Sequence, residues 1–164
     1  MHPSAINIIV SFAVALVLHE MGHFILARIC KVKVTEAGFG WGPKIASVGI
    51  RGVDYQLRLI PFGAYIRMDM AGLQTRPLVQ QLSVLFAGIA VNFILAGLAW
   101  GTFFGTLNLA LALGNLLPLY QQDGWKSGMV ICRRLFGRTS HLVEWSFTLS
   151  GGLMGLVVLS RIVF

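Results

Sequence analysis

The sequence predicts an all-α polytopic membrane protein of about four transmembrane helices, with a small membrane-associated β-hairpin between the first and second spans. Three observations predict it. Only 12% of the 164 residues are charged, against about 25% in soluble domains, so the chain has too little polar surface to stay in water. Residues 77–122 carry no charge at all. Apolar runs alternate with two basic segments, 28–76 and 126–138, the layout of spans and cationic loops. The length suits one domain, residues 1–164.

The net charge of +7 does not point to nucleic acid. The Lys and Arg residues flank apolar runs and form no stripe, so the expected partner is the lipid bilayer. Two cysteines, Cys30 and Cys132, are too few for a disulfide framework and read as free thiols.

The elements follow in order. Ala5–Ile29 is apolar and long enough to span the hydrocarbon core, which takes about 20 residues. No Lys or Arg precedes it and no clear cleavage site follows, so it reads as a retained span, not a signal peptide. From Val53, "VDYQLRLI" alternates apolar and polar with period two, a strand signal. Lys44–Val48 and Val53–Ile60 are expected to pair across a turn at Gly49–Gly52, with Pro61 and Gly63 breaking the second strand. The uncharged run 77–122 would be about 69 Å long as one helix, far more than a bilayer. It divides into Leu78–Thr102 and Thr106–Tyr120, with a turn near "WGTFFGTLN". Trp145–Ser160 is the fourth expected span. Its Gly151, Gly152 and Gly155 would let helices approach closely. The basic segments place residues 28–76 and 126–138 in the cytoplasm and the turn near 103 outside, with Arg161 a mild exception.

Within the first span stands "HEMGH", residues 19–23. Ionisable groups inside a span are costly and mark function. Residues four apart share a helix face, so His19 and His23 can reach one metal ion, and imidazole suits Zn²⁺. Glu20 beside them can hold and deprotonate a water on the metal. Catalytic zinc usually takes a third protein ligand. Glu36, Asp54, Asp69, Asp123, His141, Glu144 and the two cysteines are the candidates. Asp123 ends the uncharged run at a depth similar to that of His23, although a "DG" pair also simply ends helices.

These residues resemble the site-2 protease family, zinc metalloproteases that cut inside membranes. The similarity rests on "HEMGHFILAR", on "AGFGWGPKI" and "PFGAYIRM", on "FAGIAVNF" with Gly88 and Asn92, and on "NLLPLYQQDGW" with Asn115, Pro118, Asp123 and Gly124. The four motifs stand in the family's order. The resemblance implies that His19, His23 and Asp123 bind zinc and that Glu20 is the catalytic base. It implies that Asn92 and Asn115 line the site and help hold the substrate. Three positions depart from the family pattern: Gln122 before the Asp-Gly pair, Ala64 in place of a glycine, and the second-span segment "AGIAVN", which lacks the family's proline. None removes a ligand or the base. Many bacterial members carry PDZ domains between the second and third spans, where this sequence has only a turn.

The expected protein is a single membrane-embedded metalloprotease domain. It would hydrolyse peptide bonds in or near transmembrane segments of membrane-protein substrates. The expected location is a bacterial inner membrane, multi-pass, with the site toward the cytoplasmic side. A catalytically silent scaffold that binds partner transmembrane helices is the alternative; it would not need Glu20. A metal transporter would need further charged residues along the spans, and these are absent before Arg161.

Overall fold

The computed structural model describes residues 4–136 and 141–163, and their side chains apart from residues 62 and 158–163. Helix α1 (Ala5–Ile29) is followed by strands β1 (Val34–Ile50) and β2 (Val53–Met68). Helices α2 (Met70–Gln74), α3 (Leu78–Leu98), α4 (Phe103–Leu116), α5 (Asp123–Phe136) and α6 (His141–Val163) complete the chain.

The expected fold class does not hold. Two of the described helices, α1 and α3, are long and apolar enough to cross a membrane. The expected third span shortens to α4, of 14 residues, about 21 Å at 1.5 Å per residue. It stops because Pro118 disfavours helical backbone at Leu117, which is extended at φ −63°, ψ 143°. The expected fourth span lies in α6, which begins at the polar His141 and Glu144 and is not among the described helices that meet both requirements. The polar, basic stretch after residue 122 is itself a helix, α5, with buried Met129 and Val130 on one side. Arg138, in the second basic segment, lies outside the described residues.

The β unit is also larger than a short hairpin. Its strands are 17 and 16 residues long and pair antiparallel. Ile50 pairs with Val53 across Arg51 and Gly52, both at positive φ (50° and 80°), the two-residue turn that matches strand twist. Pro61 and Gly63 do not end β2. Residues 61–63 stand opposite Gly40 alone, between the pairs Phe39–Ala64 and Trp41–Ile60. This bulge bends both strands. Residues 36–39 therefore lie between 54–57 on one side and 64–67 on the other, making the whole an α+β arrangement.

The core joins the two parts. Ala27, Val32, Val34, Val53, Leu73, Val84, Leu85 and Val130 form one buried cluster drawn from α1, the link between α1 and β1, the sheet, α2, α3 and α5. Helices α1 and α3 meet closely because Gly22 lacks a side chain; a Cβ there would lie 2.8 Å from the Ala87 carbonyl oxygen.

Candidate metal centre

His19 and His23 lie one turn apart on the face of α1 that packs against α3, and both are 4% exposed. The approach of α3 is set by Gly88, where a Cβ would stand 2.5 Å from His23 Nε2 and 2.6 Å from His19 Nε2. Any larger residue there would push into the imidazoles. His23 Nδ1 lies 2.7 Å from the Val84 carbonyl oxygen. The carbonyl can only accept, so Nδ1 carries the proton and Nε2 is left with its lone pair. A metal-binding imidazole needs this arrangement.

Asp123 enters from far along the chain. It opens α5, directly after the loop that follows Pro118. Its Oδ2 lies 3.1 Å from His19 Nε2 and 3.0 Å from His23 Nε2, and the two imidazole nitrogens are 3.2 Å apart. Its other oxygen, Oδ1, accepts from Lys126 Nζ at 3.1 Å, one turn along α5. Burial opposes ionisation of this carboxyl, but the facing imidazoles of His19 and His23 and the Lys126 charge outweigh it. They hold the carboxyl well below the usual carboxylate range.

The donor set fits a metal. A tetrahedral ion with ligands at about 2.0–2.1 Å would hold neighbouring donor atoms about 3.3 Å apart. The three atoms here are 3.0–3.2 Å from one another, and all three residues are buried. The His23 Nε2 lone pair and the Asp123 carboxylate oxygen, both acceptors, face each other at 3.0 Å in this buried cluster, a contact that is unfavourable without a cation or proton between them.

Glu20 points elsewhere. It is half-buried on the sheet side of α1, where its Oε2 accepts from the Ile66 N–H at 3.0 Å. It lines a cavity of about 650 Å³ between α1 and the sheet, with Met21, Phe24, Tyr55, Leu57 and Ile66. Helix α1 thus presents the histidines to α3 and the carboxylate to an apolar groove.

Asn92 lies one turn beyond Gly88, fully buried, and its side-chain atoms have no hydrogen-bond partner among the described residues. Asn115 is not drawn into the cluster by any described contact. Its amide donates to the Leu111 carbonyl of its own helix at 3.0 Å. Three groups around the site were not anticipated: the Val84 carbonyl, the Ile66 amide and Lys126. The first two are backbone and leave no mark in a sequence. Lys126 was legible, since three residues after an acid is a helical neighbour.

A family comparison decides the kinship. The model of peptidase family M50 matches residues 7–104, more than half of the chain. The chain belongs to peptidase family M50, the site-2 protease family. The matched M50 region contains His19, Glu20, His23, Gly88 and Asn92; Asp123 lies beyond it.

Individual relatives agree. A Clostridium perfringens protein provisionally named a zinc metalloprotease is 31% identical over 120 residues, covering 65% of this chain and 36% of its own. A Helicobacter pylori protein with the same provisional name is 34% identical over 128 residues, covering 68% of this chain and 34% of its own. A chloroplastic Arabidopsis thaliana protein, provisionally named a membrane metalloprotease, is 31% identical over 93 residues, covering 49% of this chain and 21% of its own. This M50 chain thus spans about a third of the length of the bacterial relatives it matches.

Proposed function

We propose that this chain carries the catalytic core of a membrane-embedded zinc metalloendopeptidase acting on peptide bonds in or near transmembrane segments. The observation that carries the proposal is the meeting of His19, His23 and Asp123 donor atoms at 3.0–3.2 Å, with Glu20 next to His19 in sequence. Zinc held by these three side chains would supply Lewis-acid polarisation of a carbonyl and would lower the pKa of a bound water toward about 7. Glu20 then takes the proton of the attacking water and returns it to the leaving amine. The Ile66 amide holds the carboxylate at the mouth of the groove. Val84 fixes the tautomer of His23, and Gly88 keeps the pocket wide enough for both rings. Asn92, buried one turn from Gly88, is the side chain assigned to the substrate or its developing oxyanion. Asn115 is assigned a supporting place in the same role.

A peptide bond inside a helix is shielded by its own hydrogen bonds, so the substrate must reach the site locally extended. The apolar groove between α1 and the sheet suits such a segment, which would add along the edge of β2 near Ile66. The apolar lengths of α1 and α3 support placement in a membrane. The excess of Lys and Arg in residues 28–76 supports a cytoplasmic position for the sheet.

The test is Glu20→Gln. This variant should bind zinc as the wild type does and should not cleave a transmembrane substrate, because an amide cannot take the proton. Cleavage near the wild-type rate would end the proposal.

A further inference from the structure

A second cavity, of about 530 Å³, opens where the two basic segments of the chain meet. It is lined by Arg76, by Arg133 and Arg134 in the last turn of α5, and by Gln74, Pro77 and Gln81 around the start of α3. Val130 of α5 belongs to the same buried cluster as Leu73 of α2 and Val84 and Leu85 of α3.

The cavity is rich in donors and positive charge. Arg76 Nη2 donates to the Lys31 carbonyl at 2.7 Å, but its buried Nε has no partner among the described residues. Arg133 donates from Nε to Glu144 at 2.6 Å. Arg134 makes no ion pair among the described residues. Of the three guanidinium groups, only that of Arg133 has a carboxylate partner among the described residues. Helix α3 begins here, and its N-cap, Pro77, offers no side-chain acceptor to the first-turn amides. Those amides form the positive end of a 21-residue helix. The acceptors nearby are already used, since Gln81 Nε2 donates to the carbonyls of Gln74 and Arg76 at 3.2 and 2.7 Å.

We infer that this cavity binds a phosphate group, with the headgroup of an anionic phospholipid as its source. Guanidinium groups suit phosphate through paired hydrogen bonds, and an uncapped helix start adds backbone donors. The lipid source follows from position. The cavity lies at the end of α3, an apolar helix of membrane-crossing length, where headgroups stand, and basic pockets at such depths take acidic lipids. This source rests on the membrane placement proposed above; the phosphate chemistry does not. A bound headgroup would bridge α3, which carries Val84 and Gly88, to α5, which carries Asp123. It would thus tie together the two sides of the metal centre.

The experiment measures lipid retained by the purified full chain. Protein is reconstituted into nanodiscs of phosphatidylcholine alone, or of phosphatidylcholine and phosphatidylglycerol in equal parts, then released and weighed by native mass spectrometry. Wild type should retain phosphatidylglycerol and not phosphatidylcholine. Arg134→Gln, which breaks no ion pair among the described residues, should weaken retention about tenfold, the value of one charge-assisted hydrogen bond. Arg76→Gln combined with it should abolish retention, while Arg51→Gln in the hairpin turn should change nothing. Equal retention by Arg134→Gln and wild type, or equal retention of both lipids, overturns the site. In lipid-free detergent, inorganic phosphate is the second probe. Arginine-dependent phosphate binding there, with no phosphatidylglycerol retained from nanodiscs, would overturn the lipid source and assign the site to free phosphate. A chain that fails to enter nanodiscs but binds phosphate through Arg76 and Arg134 would overturn the membrane placement and the lipid source, not the phosphate site.

Discussion

The carboxylate of Glu20 and the backbone amide of Ile66 are joined by a 3.0 Å hydrogen bond. Ile66 pairs with Ala37 on its inner side, so its N–H, aimed at α1, belongs to the outer edge of the sheet. The proposed base and the proposed docking edge are therefore one connected unit, on the wall of the 650 Å³ groove.

Replacing that amide should separate positioning from metal binding. Ile66→Pro removes the N–H at an edge position, where proline is tolerated. It should lower kcat about tenfold, a part of the ~10²–10⁴ that acid–base catalysis supplies, with zinc content unchanged. Ile66→Ala, which keeps the amide, should stay near the wild-type rate. Substrates with Gly or Pro near the cut should be preferred to a continuous leucine helix, because they unwind at lower cost. Equal rates for Ile66→Pro and Ile66→Ala, together with equal rates for both substrate types, would remove strand addition from the account.

Gly88 and Gly97 lie on the same helix and should respond oppositely to a methyl group. At Gly88 the added Cβ would meet both imidazoles at 2.5–2.6 Å, whereas at Gly97 nothing lies within 4 Å. Gly88→Ala should weaken zinc binding by about 10–100-fold, the scale of a disturbed ligand orientation. Gly97→Ala should leave it unchanged and favour the helix by about 0.5–1 kcal/mol. Chelator competition reads the first effect and thermal unfolding the second.

The meeting of His19, His23 and Asp123 was legible because it depends on two short-range signals. Helical spacing puts His19 and His23 on one face, and an acid at the end of a long uncharged run stands out. What could not be read was which apolar residues face lipid and which face protein. Hydropathy scores both alike, so the stretch after Gly105 looked like a further span although α4 has only 14 residues. Helix α5 was hidden for the opposite reason, since its charges masked the buried face of Ser127, Met129 and Val130. The long strands were hidden by glycine and proline. Gly40, Gly42 and Gly63 at positive φ interrupt the alternation that marks a strand, although the bulges they form keep the pairing going. For Asn115 the motif gives the position, but not that its amide donates to the Leu111 carbonyl of its own helix.

If α3 crosses the membrane, its two ends must report opposite sides. A reporter inserted after Gly52, in the hairpin turn, should read as cytoplasmic, by the excess of basic residues around it. One near Phe104, after α3, should read as external. The same side for both would show that α3 does not span, and an external Gly52 would reverse the orientation of the site.

The central claim is that His19, His23 and Asp123 together hold one zinc ion. It is tested most directly by zinc K-edge X-ray absorption on the purified chain, with metal content measured in parallel for Asp123→Ala. The account predicts a site of nitrogen and oxygen donors at about 2.0–2.2 Å, with two imidazoles and no sulfur, and a sharp loss of zinc in the variant. Sulfur at about 2.3 Å, which would bring in Cys30 or Cys132, or full zinc occupancy in Asp123→Ala, would contradict it.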